Sequence, residues 1–296
     1  MSERLDGPRP SPRRSSVPAL TAEGITVHRG RGRQRREVLR EVSLALTPGS
    51  VTAIVGANGA GKTTLLRALA GELAPSEGTL RLCGRPLAAW SRIELARRRA
   101  VMNAGLNIEF PFCVEELVAL GRHPHPDDPE ADRRCVAGAM AFAEVGHLLG
   151  RRYRGLSSGE RQRVALARTL AQVWDASCEA PAWLLLDEPT ANLDPTHATS
   201  TLERVRARSR RGLGVALIVH DLNLALRFAD ELLILAGGRV LAHGPPAMVL
   251  ERPDLLRVGF GLDADVIPHP RGGWPVVLPV GAAPRSAELR SRHESP

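Results

Sequence analysis

The sequence predicts an α/β fold: a parallel core with an antiparallel β subdomain ahead of it and a helical insertion within it. Three observations predict this. The apolar pentapeptide Val51–Val55 runs into a glycine-rich loop and then a helical stretch. Short apolar runs return late in the chain, at 183–186, 215–219 and 232–235. Between the two groups lies a tract, about 91–170, whose apolar spacing is mostly helical.

Residues 1–19 are rich in Pro, Ser and Arg without apolar period, and predict a disordered basic arm. From Leu20 the pattern turns strand-like. Ile25 alternates with Val27, then Val42, Leu44 and Leu46 alternate up to Pro48-Gly49, as antiparallel strands do. Val51–Val55 suits a strand buried on both faces. Lys62 to Ala70 reads as a helix closed by Gly71. The loop GRHPHPDDP, from Gly121 to Pro129, interrupts the helical tract. Strands return at Trp183–Leu186, Val215–Val219 and Leu232–Leu235, the last turning through Ala236-Gly237-Gly238 into Val240-Leu241 as a hairpin. From Ile267 the stretch IPHPRGGWPVVLP reads as a small extended appendage with a loose end. No internal repeat is visible. The division is an arm (1–19), a main domain (20–265, with the helical subdomain at about 91–170) and a partly disordered C-terminal extension (266–296).

A chain of 296 residues, 43% hydrophobic, can bury one substantial core. It has no run of about 18 apolar residues, so no membrane span is expected. MSERLDGPRPSPRRSS lacks the apolar region of a signal peptide, which predicts a cytoplasmic protein. The net charge of +8 is dispersed, and aromatics are only 3%, poor material for base-stacking platforms. The charge reads as solubility with modest attraction to an anionic membrane face, and no nucleic-acid partner is expected. Cys83, Cys113, Cys135 and Cys178 are widely spaced without a CxxC pair, which argues against a zinc site or disulfide framework.

Gly56-Ala57-Asn58-Gly59-Ala60-Gly61-Lys62-Thr63, with Thr64 continuing the helix, fits the GxxxxGK[ST] phosphate-binding pattern between a strand and a helix. Glycines let backbone N–H groups turn inward around phosphates, and the helix N-terminus adds partial positive charge. Lys62 can bridge β- and γ-phosphates, and the Thr63 hydroxyl can ligate Mg²⁺. The strand ending at Leu186 delivers Asp187 and Glu188 at its C-terminal edge. Asp187 would hold Mg²⁺ through water, and Glu188 would polarise an attacking water as general base. Ser157 and Glu160 have the spacing of a capping box, so a helix opens there whose N-terminus can receive a phosphate.

These residues resemble the ABC ATPases, a family with a P-loop NTPase core. Leu156-Ser157-Ser158-Gly159-Glu160 matches the LSGGQ/E signature with one Gly replaced by Ser, and Arg161-Gln162-Arg163 continues the match. Ala191-Asn192-Leu193-Asp194 looks like the D-loop, and His220 like the switch histidine. The resemblance covers about residues 20–265. It implies ATP and Mg²⁺ as ligands, and a head-to-tail homodimer with two ATP molecules sandwiched at its interface. Each signature, Ser157 to Glu160, would complete the opposite subunit's site. His220 would contact the γ-phosphate, and Asp194 would communicate between sites. It further implies two copies of an integral membrane permease, with the ATPase peripheral on the cytoplasmic face of the inner membrane.

Phe110-Pro111-Phe112, the following VEELVALGR, His123-Pro124-His125 and the ending DADVIPHPRGGWPVVLP look most like the haem importers of the group that also imports ferric siderophores and vitamin B12. The resemblance therefore implies haem import, with an indirect periplasmic haem-binding partner; a siderophore or B12 importer is the alternative. A DNA-repair or chromosome-structuring relative would carry coiled-coil or zinc insertions, and a translation factor two cassettes; this chain has none of these. A regulatory subunit with impaired hydrolysis is a further alternative. Ala104 stands where the family has its Q-loop glutamine, and Asn103 or Asn107 would be the substitutes. The aromatic that usually stacks on adenine is absent, and His28 or Arg29 lies in its place. Val173 to Ala182 makes the signature-to-Asp187 spacing longer than usual and reads as a surface loop without catalytic role. His123 and His125 read as loop structure or permease contact, not haem ligands.

Overall fold

The computed structural model describes residues 19–30, 32, 35–103, 110–252 and 254–282. The expected arm, the end of the expected extension, Ala104 and Asn107 lie outside these residues.

The chain opens with β1 (Leu20–Arg29) and β2 (Arg36–Leu46), enters the core as β3 (Val51–Val55), and passes into α1 (Lys62–Leu69). It returns through β4 (Glu77–Leu82) and β5 (Arg85–Pro86), then α2 (Arg92–Arg98) and β6 (Arg99–Met102). The helical insertion carries α3 (Val114–Ala119), α4 (Pro129–Phe142) and α5 (Ser158–Gln172). Alternation follows: β7 (Ala182–Asp187), α6 (Pro195–Ser209), β8 (Leu213–Ile218), α7 (Leu222–Phe228), β9 (Glu231–Ala236), β10 (Arg239–Gly244), α8 (Pro246–Leu250) and α9 (Asp254–Phe260). The hairpin β11 (Leu262–Pro268) and β12 (Pro275–Ala282) ends it.

A six-stranded sheet in the order β10-β9-β3-β8-β7-β6 is parallel except for β10, and a four-stranded antiparallel sheet has the order β2-β1-β4-β5. The central strands are apolar throughout because both faces are covered. Val51, Ala53 and Val55 face one core cluster, which includes the helical insertion. Ile54 faces the other, with Leu65, Leu66 and Leu69 of α1 packed between the two sheets. Gly71 takes a positive φ of 69° just beyond α1, the closing conformation expected for it. The stacked layers thus fix α1, and the loop before it, at the C-terminal ends of β3, β7 and β8.

Two expectations need correction. The helical subdomain does not take in all of 91–170: Arg99–Met102 is β6, an edge strand of the core sheet, parallel to β7. Four residues with Ala100 and Met102 buried are too short for a strand period to show. The division at 265/266 falls inside β11, whose partner strand buries Val277 to 3% exposure. Asn223 of α7 clasps that residue, its Oδ1 accepting from Val277 N–H at 2.8 Å and its Nδ2 donating to Val277 O at 3.2 Å. The stretch Val173 to Ala182 is a surface loop as expected, and it is anchored at its start. Trp174 meets Phe142 edge-on at 6.4 Å, and Asp175 pairs with buried Arg122 at 2.9 Å.

Candidate functional site

The phosphate loop leaves β3 at Gly56, whose φ is 148° and whose Cβ, if it had one, would lie 2.1 Å from the Leu235 carbonyl oxygen. Only glycine fits there. Gly61, at φ 105°, caps α1 with its backbone alone. Lys62 is buried, and its Nζ donates to Gly56 O at 2.7 Å and Ala57 O at 3.0 Å. The ammonium therefore lies across the mouth of the loop. Burial lowers its pKa, against the opposing pull of Glu188 and Asp187.

Asp187 ends β7 at 4% exposure, with the Thr63 side chain near enough to favour its ionised form. Burial raises its pKa above the ordinary value, and its Oδ1 is buried without a hydrogen-bond partner. An orphaned anionic oxygen beside a hydroxyl is a donor set of hard oxygens, which fits Mg²⁺ with part of its water shell. Thr63 and Asp187 thus suit the metal.

Glu188 takes a left-handed φ of 54°. Its N–H donates to Ile218 O at 3.1 Å. Its carbonyl accepts from Ala191 N–H at 3.1 Å and from Gln162 Nε2 at 2.6 Å. Its Oε1 lies 2.6 Å from Nε2 of His220. Lys62, Thr63, Thr64, Asn58, Gly59 and Gly61 line one groove of about 480 Å³ together with Glu188 and His220. The same groove is lined by Arg29, Arg36 and Val38. Arg29 and Arg36 face each other in the β1–β2 register. Of the two residues expected near the base, Arg29 enters the groove, whereas His28 turns its Nδ1 to Ser76 Oγ at 3.2 Å. Arg36 escaped the sequence because its place depends on the hairpin register.

Ser157, Ser158, Gly159 and Glu160 do not line that groove; they form the exposed N-terminus of α5. The capping box is formed: Ser157 Oγ accepts from Glu160 N–H at 3.2 Å, and Glu160 Oε2 accepts from Ser157 N–H at 2.7 Å. Asp194 caps α6, accepting from His197 N–H at 2.9 Å, with His197 Nδ1 at 2.6 Å from its other oxygen. The His197 hydrogen bonds hold the Asp194 pKa down. His197 was not singled out in the sequence; Asp194-Pro195 as a helix start was the available signal. His125, in the Pro/His-rich loop, has its Nε2 2.7 Å from Gln172 O, a loop-fixing contact.

Residues 39–191 match the family model described as ABC transporter. The chain is 49% identical over 259 residues to a hemin import ATP-binding protein, HmuV, of Pseudomonas entomophila (strain L48), covering 88% of this chain and 99% of that protein. It is similar to the solved structure of cbiO1 from Clostridium perfringens, part of the ABC transporter complex cbiONQ, at 26% identity and TM-score 0.66, covering 82% of this chain and 94% of that one. The dimeric structure of MJ0796, a bacterial ABC transporter cassette, has the same fold, at 24% identity and TM-score 0.66, covering 76% of this chain and 98% of that one.

Proposed function

Because this chain belongs to the ABC transporter family, we propose that it is the ATP-hydrolysing subunit of an importer that carries haem across the inner membrane. The observation that carries the ATPase reading is the convergence of Lys62, Thr63, Asp187, Glu188 and His220 at the ends of adjacent strands.

The backbone of Gly56 to Gly61 and the N-terminus of α1 cradle the β- and γ-phosphates. Lys62 exchanges its loop carbonyls for phosphate oxygens. Thr63 and Asp187 would hold Mg²⁺, which neutralises charge building on the phosphates. Glu188 takes a proton from a water at its carboxylate as the water's oxygen attacks the γ-phosphorus, and the bond from that phosphorus to the β-phosphate oxygen breaks to give ADP and phosphate. His220 orients Glu188 beforehand and offers its Nε2–H to the γ-phosphate. Arg29 and Arg36 supply planar cations for the face of the base.

The signature sits on a face separate from the groove, which supports a head-to-tail dimer in which each α5 N-terminus meets the opposite nucleotide. A second, apolar groove of about 730 Å³ runs between α3 and α4, with Val136, Met140 and exposed Leu149 along it. It suits an apolar segment of the permease, and no helix among the described residues is long and apolar enough to cross a membrane. A peripheral subunit on the cytoplasmic face, with a periplasmic haem-binding protein acting through the permease, completes the assembly. The likeness to the hemin import relative supports haem as cargo.

The test is ATPase activity with the cognate permease reconstituted and haem-loaded binding protein added. Stimulation by haem, abolished by Lys62→Ala, is the expected result. Turnover indifferent to haem, but stimulated by a ferric siderophore, overturns the cargo and leaves the ATPase.

A further inference from the structure

We propose that Gln162 is a positioning residue for Glu188 of its own chain, tying the general base to the helix whose N-terminus meets the opposite subunit's nucleotide. The inference rests on the dimeric ATPase reading above and adds to it a link inside each subunit.

Glu188 is one of few non-glycine residues at positive φ among those described, and such a backbone persists only where its surroundings fix it. Two of the three hydrogen bonds on its peptide groups come from the immediate backbone, Ile218 O and Ala191 N–H. The third is the 2.6 Å bond from Gln162 Nε2, a side chain of α5. Gln162 is half-buried, so solvent competes weakly for its amide.

Gln162 lies five positions beyond Ser157, about 7.5 Å along a helix made stiff at that end by its capping box. Between them, Gly159 packs so closely that a Cβ there would lie 3.0 Å from Asn192 O. The first two turns of α5 thus rest along the segment that runs from Glu188 to Leu193. A phosphate docking on the exposed end of α5 moves a body that holds the peptide of Glu188. The proton acceptor is thereby set by the nucleotide on the other side of the dimer. The catalytic carboxylate itself is untouched by Gln162, whose effect passes through the main chain.

Turnover of the wild-type chain, lost in Glu188→Gln, tests the underlying reading and is measured separately. Gln162→Met keeps the length of the side chain and removes its donor. The expected result is a kcat lower by about tenfold or more, with KM for ATP changed less than about twofold, the mark of an interaction made for the transition state. Gln162→Ala, which introduces no new group, gives the same split and is the second variant if Met does not fold. Mixed dimers with one working base decide the geometry. With Gln162→Met in the chain that keeps Glu188, turnover falls as in the homodimer. With Gln162→Met in the partner that carries Glu188→Gln, turnover stays at the level of that mixed dimer. Unchanged kcat in both variants, a proportional rise in KM, or a loss confined to the second arrangement would overturn the proposal.

Discussion

Nε2 of His220 and Oε1 of Glu188 lie 2.6 Å apart, across the ends of neighbouring strands β8 and β7. The base is therefore oriented before any nucleotide is in place, and His220 spends its Nε2 on a carboxylate that must later face water. Replacing His220 with Ala removes that orientation while leaving the phosphate loop whole. We expect kcat to fall about 10²- to 10³-fold, as for loss of a group assisting proton transfer, with ATP affinity nearly unchanged. Equilibrium binding of a fluorescent ATP analogue beside steady-state turnover checks both halves. Glu188→Gln should bind ATP and dimerise yet fail to turn over.

Asp187 gives a prediction in pH. Its carboxyl is buried, one oxygen lacks a partner, and its folded pKa lies above the ordinary value. A raised acid costs the folded state most when ionised, so the metal-free protein loses stability as pH rises through the shifted pKa and regains it as pH falls. Asp187→Asn removes that cost. Its thermal midpoint without nucleotide should exceed the wild type's near neutral pH by about 2 °C, the gap closing in acid. Mg²⁺-dependent turnover should disappear in the same variant. A gap that widened in acid would contradict the assignment.

Arg29 and Arg36 line the groove, and a guanidinium plane there would read the face of a base rather than its edge. Replacing both with Ala should raise KM about three- to tenfold, the range of an exposed cation–π contact. The rise should be alike for ATP and GTP. A penalty confined to ATP would show that an edge is being read.

Asn223→Ala should lower the thermal midpoint by about 4 °C, since it breaks two hydrogen bonds to Val277 worth about 1 kcal/mol each. Differential scanning calorimetry of the full chain measures this. A midpoint unmoved would mean that the β11–β12 hairpin is held by apolar packing alone.

The methyl group of Ala104 offers neither the oxygen nor the amide that a glutamine side chain would present to a metal or a water. Ala104→Gln should raise transport-coupled turnover, measured with the permease present. No change would dismiss Ala104 as a brake.

The phosphate loop, the acid pair and the capping box were legible because each needs fixed residue types at fixed spacing along one stretch of chain. The central strands were legible because burial on both faces leaves an unbroken apolar run. What escaped depends on spacing across chain. β6 has four residues and no room for a period. Arg36 reaches the groove only through its register with Arg29. Gln162 meets a carbonyl of a residue far along the chain, and a side chain bonded to backbone leaves no pattern in its partner's identity. Trp174 fills space over Phe142 and over Gly138, where a Cβ would lie 2.4 Å from its ring; complementarity of that kind appears only once the elements are packed.

The order of strands also has a consequence in time. β3 lies in the middle of its sheet, yet its two neighbours there, β8 and β9, begin only at Leu213 and Glu231. A ribosome adding about 5–20 residues per second needs roughly 8–33 s to travel from Val55 to Ile218, the end of β8. Throughout that interval the nascent polypeptide displays an apolar strand with nothing in its own sheet to pair either edge. Synthesis, rather than the mature state, is when this chain most needs a chaperone's shelter, and slowing translation late in the message prolongs that exposure.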